Sequence, residues 1–288
     1  MNSFFIITNS VKDPKQEVTQ HIVSYLTDRG AKANYMMRDE LTVADRQHAV
    51  REPLDVPKDT QCILVLGGDG TLLQAARDTL GLGIPLLGVN LGTLGFLAEI
   101  EKNDIDQALD KLLADDFTSE ERMLLSGSIV RDGEKIYDGH ALNDIVVGRS
   151  GHLMVLPVQL MVNGQQLVSY LADGMIVSTP TGSTAYNLSA GGPIVSPAAR
   201  LMVVTPICPH TLNTRSVILS PEDQVEILLG DSKDGQDTVK GEVYFDGGLP
   251  VIVSKTDRIV IRQSSLSVTL IRLNSESFLK QLHNRLKQ

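Results

Sequence analysis

Apolar positions along the chain follow one rhythm up to about residue 120 and another after it. Phe4–Ile7 is a short apolar run that predicts a buried strand. Between Pro14 and Arg29, Val18, Ile22, Val23 and Leu26 recur at helical spacing, and Gly30 follows as a stop. Cys62–Leu66 is apolar at every position, as a strand buried on both faces requires. Leu72–Leu80 then predicts a helix, Ile84–Val89 a further buried strand, and Asn103–Ala114 an amphipathic helix carrying Ile105, Ala108, Leu109, Leu112 and Leu113. Strand alternating with helix predicts a parallel sheet wrapped by helices.

From about Leu124 short alternating runs replace helical spacing, separated by Asp132–Gly133, Asp138–Gly139, Asn163–Gly164 and Gly247–Gly248. Asn163–Gly164 between Val158–Val162 and Gln166–Tyr170 is the strongest hairpin signal in the chain. Runs at Met175–Val177, Ser216–Leu219, Val225–Leu229, Val251–Val253, Ile259–Ile261 and Leu266–Ile271 continue the pattern. The reading is an α/β N-terminal domain with a parallel sheet (residues 1–121), then a β-rich, sandwich-like C-terminal domain (residues 122–273). The tail returns to helical spacing at Phe278, Leu282 and Leu286, and a helix over 274–288 is expected to pack back on the first domain.

Composition narrows the function classes. With 26 Lys and Arg against 35 Asp and Glu, the net charge of −9 argues against long-range attraction to nucleic acid or an anionic membrane. No apolar run is long enough for a transmembrane helix, and Met1–Ser10 does not read as a secretory signal. The cysteines, Cys62 and Cys208, both lie in apolar stretches, so buried, reduced thiols and a cytoplasmic protein are expected. Six histidines without metal-ligand spacing give no support for a protein-held metal site.

Two segments carry chemistry. Gly67-Gly68-Asp69-Gly70-Thr71 stands between a predicted strand and a predicted helix, where free backbone amides can receive a phosphate. The same residues also suit a tight turn in which Asp69 merely caps the helix. Asp173 to Ser189 (DGMIVSTPTGSTAYNLS) concentrates hydroxyls, glycines and a proline after a strand, a neutral surface fitted to amide, ring-nitrogen and ribose groups. An ordinary capped loop would look similar. Ala141–Val147, with Asn143 and Asp144 before an apolar strand, and His210–Ser216 read equally well as turns. A G-x-x-x-x-G-K-[ST] phosphate loop is missing, and Gly81-Leu82-Gly83 reads as a helix stop.

Taken together and in this order, these segments resemble the NAD kinase family, from Cys62 to about Gly248. The Gly-Gly-Asp-Gly turn alone is shared with diacylglycerol-type lipid kinases and, loosely, with phosphofructokinases. The Asp173–Tyr186 block followed by Ala190-Gly-Gly-Pro193 is not. The resemblance implies Asp69 as acceptor of the proton from the adenosine 2′-hydroxyl of NAD, with Gly68 and Gly70 beside it in the nucleotide site. It implies dinucleotide contacts from Asn143, Asp144 and Asp173, and from Thr184, Ala185, Tyr186, Asn187, Leu188 and Ser189, this last stretch partly shared with a neighbouring subunit. His152 falls near a further contact. Asp144 stands where most members have glutamate, and Leu171 where many bacterial members have arginine. Gly248 replaces a usual glutamine, and Ser216 a usual proline.

The expected reaction moves the γ-phosphoryl of ATP, or of polyphosphate, to the 2′-hydroxyl of NAD to give NADP. Its loose transition state asks mainly for positioning and charge compensation. The Gly68–Thr71 turn carries no lysine or arginine, so the reading expects strong dependence on Mg²⁺ arriving with ATP. A homodimer or homotetramer is implied by the shared pocket. A kinase of a lipid or sugar, and a non-catalytic dinucleotide sensor, remain the alternatives at this stage.

Overall fold

The computed structural model describes residues 1–39, 54–92, 95–151, 155–211, 214–231, 239–273 and 278–287. His152, residues 212–213, residues 274–277, residue 288 and most of the polar loop Asp231–Lys240 lie outside them. Two compact units are present: Met1–Arg122 with Val268–Gln288, and Met123–Ser267.

In the first unit the chain runs β1 (Ser3–Asn9), α1 (Glu17–Asp28), β2 (Lys32–Arg38), β3 (Cys62–Gly67), α2 (Asp69–Asp78), β4 (Leu86–Asn90), β5 (Ile100–Glu101) and α3 (Ile105–Leu113). All adjacent strands in the order β2-β1-β3-β4-β5 pair in parallel. Every residue of β1, β3 and β4 is buried, which explains the apolar runs Phe4–Ile7 and Cys62–Leu66 at their centres. The core gathers Phe4, Ile6, Leu64, Leu66 and Leu87 from the strands, Ile22 and Leu26 from α1, and Leu109 and Leu112 from α3. Asp13 fastens the start of α1, accepting from the amides of Val18 and Thr19 and from the Thr19 hydroxyl at 3.3, 2.9 and 2.7 Å. Strand β2 escapes sequence analysis because it is an edge strand with no buried residue and no apolar alternation.

The second unit holds most of β6 (Thr118–Arg131), then β7 (Glu134–Ala141), β8 (Asp144–Arg149), β9 (Leu156–Val162), β10 (Gln165–Ala172), β11 (Gly174–Ser178), α4 (Tyr186–Ser189), β12 (Met202–Ile207), β13 (Val217–Leu219), β14 (Val225–Leu229), β15 (Lys240–Phe245), β16 (Val251–Ser254) and most of β17 (Asp257–Arg272). One antiparallel sheet has the order β13-β12-β11-β8-β15-β16. A second runs β10-β9-β14-β17, with β6 and β7 continuing beside β17. Ile145, Val147, Met175, Val177 and Val243 from the first sheet share one core with Leu156, Leu160, Ile227 and Ile259 from the second. The β9–β10 hairpin turns at Asn163–Gly164, with Gln165 opposite Val162.

Two expectations change. Ile259–Ile261 and Leu266–Ile271 belong to one strand, β17, which closes with Leu270 paired in parallel to Leu86 of β4. The intervening Gln263 to Ser265 breaks the apolar pattern without breaking the strand. Cys208 is exposed rather than buried, with φ +43° just past the end of β12, whereas Cys62 is buried and its thiol is pushed up by burial. The tail helix α5 spans Phe278–Leu286.

Leu64 sits in β3 between β1 and β4 and is 1% exposed. Leu64→Ala is expected to lower stability by about 2–5 kcal/mol, read as a fall in the urea midpoint with unchanged m. A loss under about 1 kcal/mol would mean that this layer closes around the cavity.

Candidate active site

In the first unit the site grows from the ends of parallel strands, where open α/β sheets take their ligands. Strand β3 ends at Gly67, and helix α2 starts at Asp69 with Gly68 as its cap. The first-turn amides of Asp69 and Gly70 precede any intrahelical acceptor and are the donors a phosphate needs. Asp69 does not cap its own helix. Its carboxylate accepts from three amides of the segment after β4: Phe96 at 2.7 Å, Leu97 at 3.1 Å and Ala98 at 3.2 Å. A Cβ on Gly95 would fall 1.8 Å from Asp69 Oδ1, so only glycine lets this segment wrap the carboxylate. Two carboxylate oxygens offer about four acceptor positions, and the described residues use three. About one remains for a ligand hydroxyl.

Beyond Ala98 the same segment is pinned again. Glu99 accepts from the Leu273 amide at 2.8 Å and pairs with Arg272 at 3.2 Å, and Arg272 also meets Glu120 at 2.9 Å. On the other side of the turn, Asn9 Nδ2 donates to Thr71 Oγ1 at 3.2 Å, while Asn9 Oδ1 accepts from the amides of Val11 and Lys12. Lys12 Nζ lies 3.5 Å from where a Cβ on Gly92 would stand, just past the end of β4. Sequence analysis missed this ammonium. The signal that could have found it is a lysine three residues beyond the end of β1, at the strand edge that bears the glycine turn.

The second unit holds the remaining described candidates. The turn before β8 is clasped from two directions. Asp246 accepts from the amides of Leu142 and Asn143, both at 2.7 Å, and of Asp144 at 3.1 Å. On the carbonyl side, Thr179 Oγ1 donates to Leu142 O at 2.6 Å and the Thr179 amide to Asn143 O at 2.9 Å. A Cβ on Gly182 would lie 2.1 Å from Asn143 O, so the Pro180–Gly182 turn can press against it only as glycine. Asn143 Oδ1 is left buried and without a partner among the described residues. Such an acceptor calls for a water or a ligand donor.

Asp173, at the start of β11, pairs with Arg149 at 3.6 Å. The Tyr186 ring is 46% exposed, and its hydroxyl is pushed up by burial and then by the nearby Cys208, Asp173 and Asp144. Asn143, Asp144, Asp173 and Tyr186 thus form one neighbourhood. Thr184, Ala185 and Leu188 are half-buried and Ser189 is exposed along the same stretch. Asn187 differs. Its amide donates to Ser183 O at 3.1 Å and Pro193 O at 3.0 Å and accepts from Thr205 Oγ1 at 2.7 Å, with no exposed surface. Its side chain braces the loop.

Burial, and then the Asp246 carboxylate, push Asp144 up to about 7. An aspartate in the unfolded chain titrates near about 3.9, so the folded chain disfavours the ionised form. This penalty is absent below about pH 4, grows as pH rises, and is complete above about 7. Asp144→Asn is therefore expected to gain stability over the parent at pH 8 that it does not gain at pH 4, measured by urea midpoints. An equal difference at both pH values would remove the charge penalty from Asp144.

Comparison with known proteins places this geometry. Residues 4–117 match the ATP-NAD kinase N-terminal domain and residues 142–273 the ATP-NAD kinase C-terminal domain. The NAD kinase of Lachnospira eligens is 41% identical over 99% of this chain and 100% of its own length, and that of Lachnoclostridium phytofermentans 42% over 99% of each. Among solved structures, yeast NADH kinase complexed with NADH superposes with a TM-score of 0.83 at 25% identity, over 99% of this chain and 88% of that one. The NAD kinase of Archaeoglobus fulgidus in complex with ATP shares the fold, with a TM-score of 0.76 at 21% identity over 99% and 98%. With both domains matched and full-length relatives above 40% identity, the chain belongs to the NAD kinase family.

Proposed function

We propose that the chain transfers the γ-phosphoryl of ATP to the 2′-hydroxyl of the adenosine ribose of NAD, giving NADP, with Asp69 as the acceptor of the hydroxyl proton. The observation that carries this role is the Asp69 carboxylate, fixed by three amides from Phe96 to Ala98 yet retaining an acceptor position. A carboxylate within hydrogen-bond reach can take a proton that leaves late in a loose phosphoryl transfer. The alternative, an aspartate that only holds the Phe96–Ala98 segment, predicts that its substitution lowers stability and NAD binding together with turnover.

The donor phosphates belong over the amides of Gly68 to Gly70, where the N-terminus of α2 compensates charge. Lys12 supplies the side-chain cation that the glycine turn itself lacks. Mg²⁺ enters with ATP as part of the substrate. Among the described residues no group of three or more His, Cys, Asp or Glu could hold an ion.

On the dinucleotide side, Asn143 offers its unpartnered Oδ1 as acceptor to a ligand amine or hydroxyl. Asp173 and the exposed Tyr186 face suit the cationic nicotinamide ring, by charge and by stacking. Thr184, Ala185, Leu188 and Ser189 line the same slot, and Asn187 keeps its shape. A homodimer or homotetramer in the cytoplasm completes the reading. Among the described residues no helix is long and apolar enough to cross a membrane.

Purified protein with NAD, ATP and Mg²⁺ is expected to form NADP, detected by an NADP-specific dehydrogenase. Asp69→Asn is expected to lose about 10²–10⁴-fold in kcat while calorimetry still registers NAD binding. Unchanged turnover would take Asp69 out of the mechanism. Lys12→Met is expected to raise the KM for ATP about tenfold and leave the KM for NAD in place. Equal changes in both would deny Lys12 a donor-side role.

A further inference from the structure

We propose that Asp246 is the positioning residue for the dinucleotide-facing pair Asn143–Asp144, holding three successive amides of that turn on one carboxylate. This rests on the reading above and deepens its NAD side. Asp246 follows β15, whose Phe245 is registered against Ile145 of β8. That pairing sets it beside the start of β8, and its own amide donates to Asp144 O at 3.0 Å. Its φ of +48° turns the chain out of the strand at this point. Oδ2 then receives the Leu142 amide, and Oδ1 those of Asn143 and Asp144.

Three consecutive amides converging on one anion define a curled backbone that a neutral side chain cannot hold equally well. An asparagine at 246 would keep one oxygen acceptor and turn an NH₂ group toward at least one main-chain N–H, setting donor against donor. The carbonyl side of the turn is fixed separately, by Thr179 and by Ser178 Oγ at 3.3 Å from Asn143 O. Removing Asp246 would leave that anchor in place and free the amide side. Asn143 would then lose its aim while the sheet stays paired.

Charge gives a second consequence. Asp144 is faced by the Asp246 carboxylate after β15 and by the Tyr186 hydroxyl from α4, with Asp173 of the β10–β11 junction also near Tyr186 and paired to Arg149 of β8. Taking the negative charge from position 246 lets Asp144 ionise at lower pH.

The test begins with the parent enzyme. If it makes no NADP from NAD and MgATP, the kinase reading fails, and that result is separate from everything that follows. If it does, Asp246→Asn is expected to raise the KM for NAD about tenfold or more, with the KM for ATP within about twofold of the parent. Its pH profile of kcat/KM for NAD is expected to move an inflection toward acid. Asp246→Glu, which keeps both oxygens and the charge, is expected to recover part of the KM and leave the inflection in place. An Asp246→Asn variant with parental KM for NAD and a superimposable pH profile would overturn the proposal. Should that variant not fold, Asp246→Glu and Asp246→Ser carry the test together. A parental KM for NAD in Asp246→Ser, or one raised as far in Asp246→Glu as in Asp246→Ser, would equally overturn it.

Discussion

A main-chain amide that leaves the end of a strand must find an acceptor, and in this chain carboxylates provide it at several bends, two of them at candidate site residues. Asp69 takes the amides of Phe96, Leu97 and Ala98, and Asp246 those of Leu142, Asn143 and Asp144. Asp13 does the same at the start of α1, and Asp257 accepts the Ser254 amide at 2.7 Å while pairing with Arg131. Buried or half-buried donors left without such partners would each cost on the order of 1–3 kcal/mol. The loops therefore hold their shape through point anchors as well as through the burial of Leu97, Ala98 and Leu142. Under the proposed function, the same oxygens, or the side chains they aim, are those offered to substrate.

Glycine is the complement of this device. A carboxylate can collect several amides only if the surrounding backbone comes close, and a Cβ at Gly95 would occupy that space. In the second unit a close-packed glycine serves the carbonyl side of the turn, where a Cβ on Gly182 would meet Asn143 O. The pairing of Asp69 with Gly95 links sequence to site in the first unit. It also explains why Asp69 sits in the first turn of α2 without capping it. Its length is spent reaching across to the segment after β4, and the helix start is left to Gly68.

The parts of this arrangement that show in the sequence are those whose signal is local. The buried parallel strands announce themselves as unbroken apolar runs, the β9–β10 hairpin through Asn163–Gly164, and the phosphate turn through its glycines. What stays hidden is partnership. The amides that Asp69 gathers carry no side-chain signature and stand about thirty residues on, and Asp246 stands more than a hundred residues from the turn it holds. Strand β2 is hidden for a different reason, since an exposed edge strand needs no apolar alternation. Asn187 is the opposite case. It lies inside a recognisable block, yet its side-chain amide is already partnered by Ser183, Pro193 and Thr205, a bracing role that the motif alone does not reveal.

The shorter carboxyl at position 144 fits this economy of anchors. A glutamate would carry its carboxyl one methylene farther from the backbone, whereas Asp144 stays buried beside Asp246 and is held up to about 7. Near neutral pH it therefore divides between acid and anion, and the acid form is a hydrogen-bond donor. Asn143, one residue earlier, presents an acceptor oxygen from the same clasped turn. The turn can then offer donor and acceptor side by side to a ligand edge. Asp246 contributes to both: it gathers the amides of the turn that carries the two side chains, and its charge adds to burial, the larger cause, in keeping the proton on Asp144.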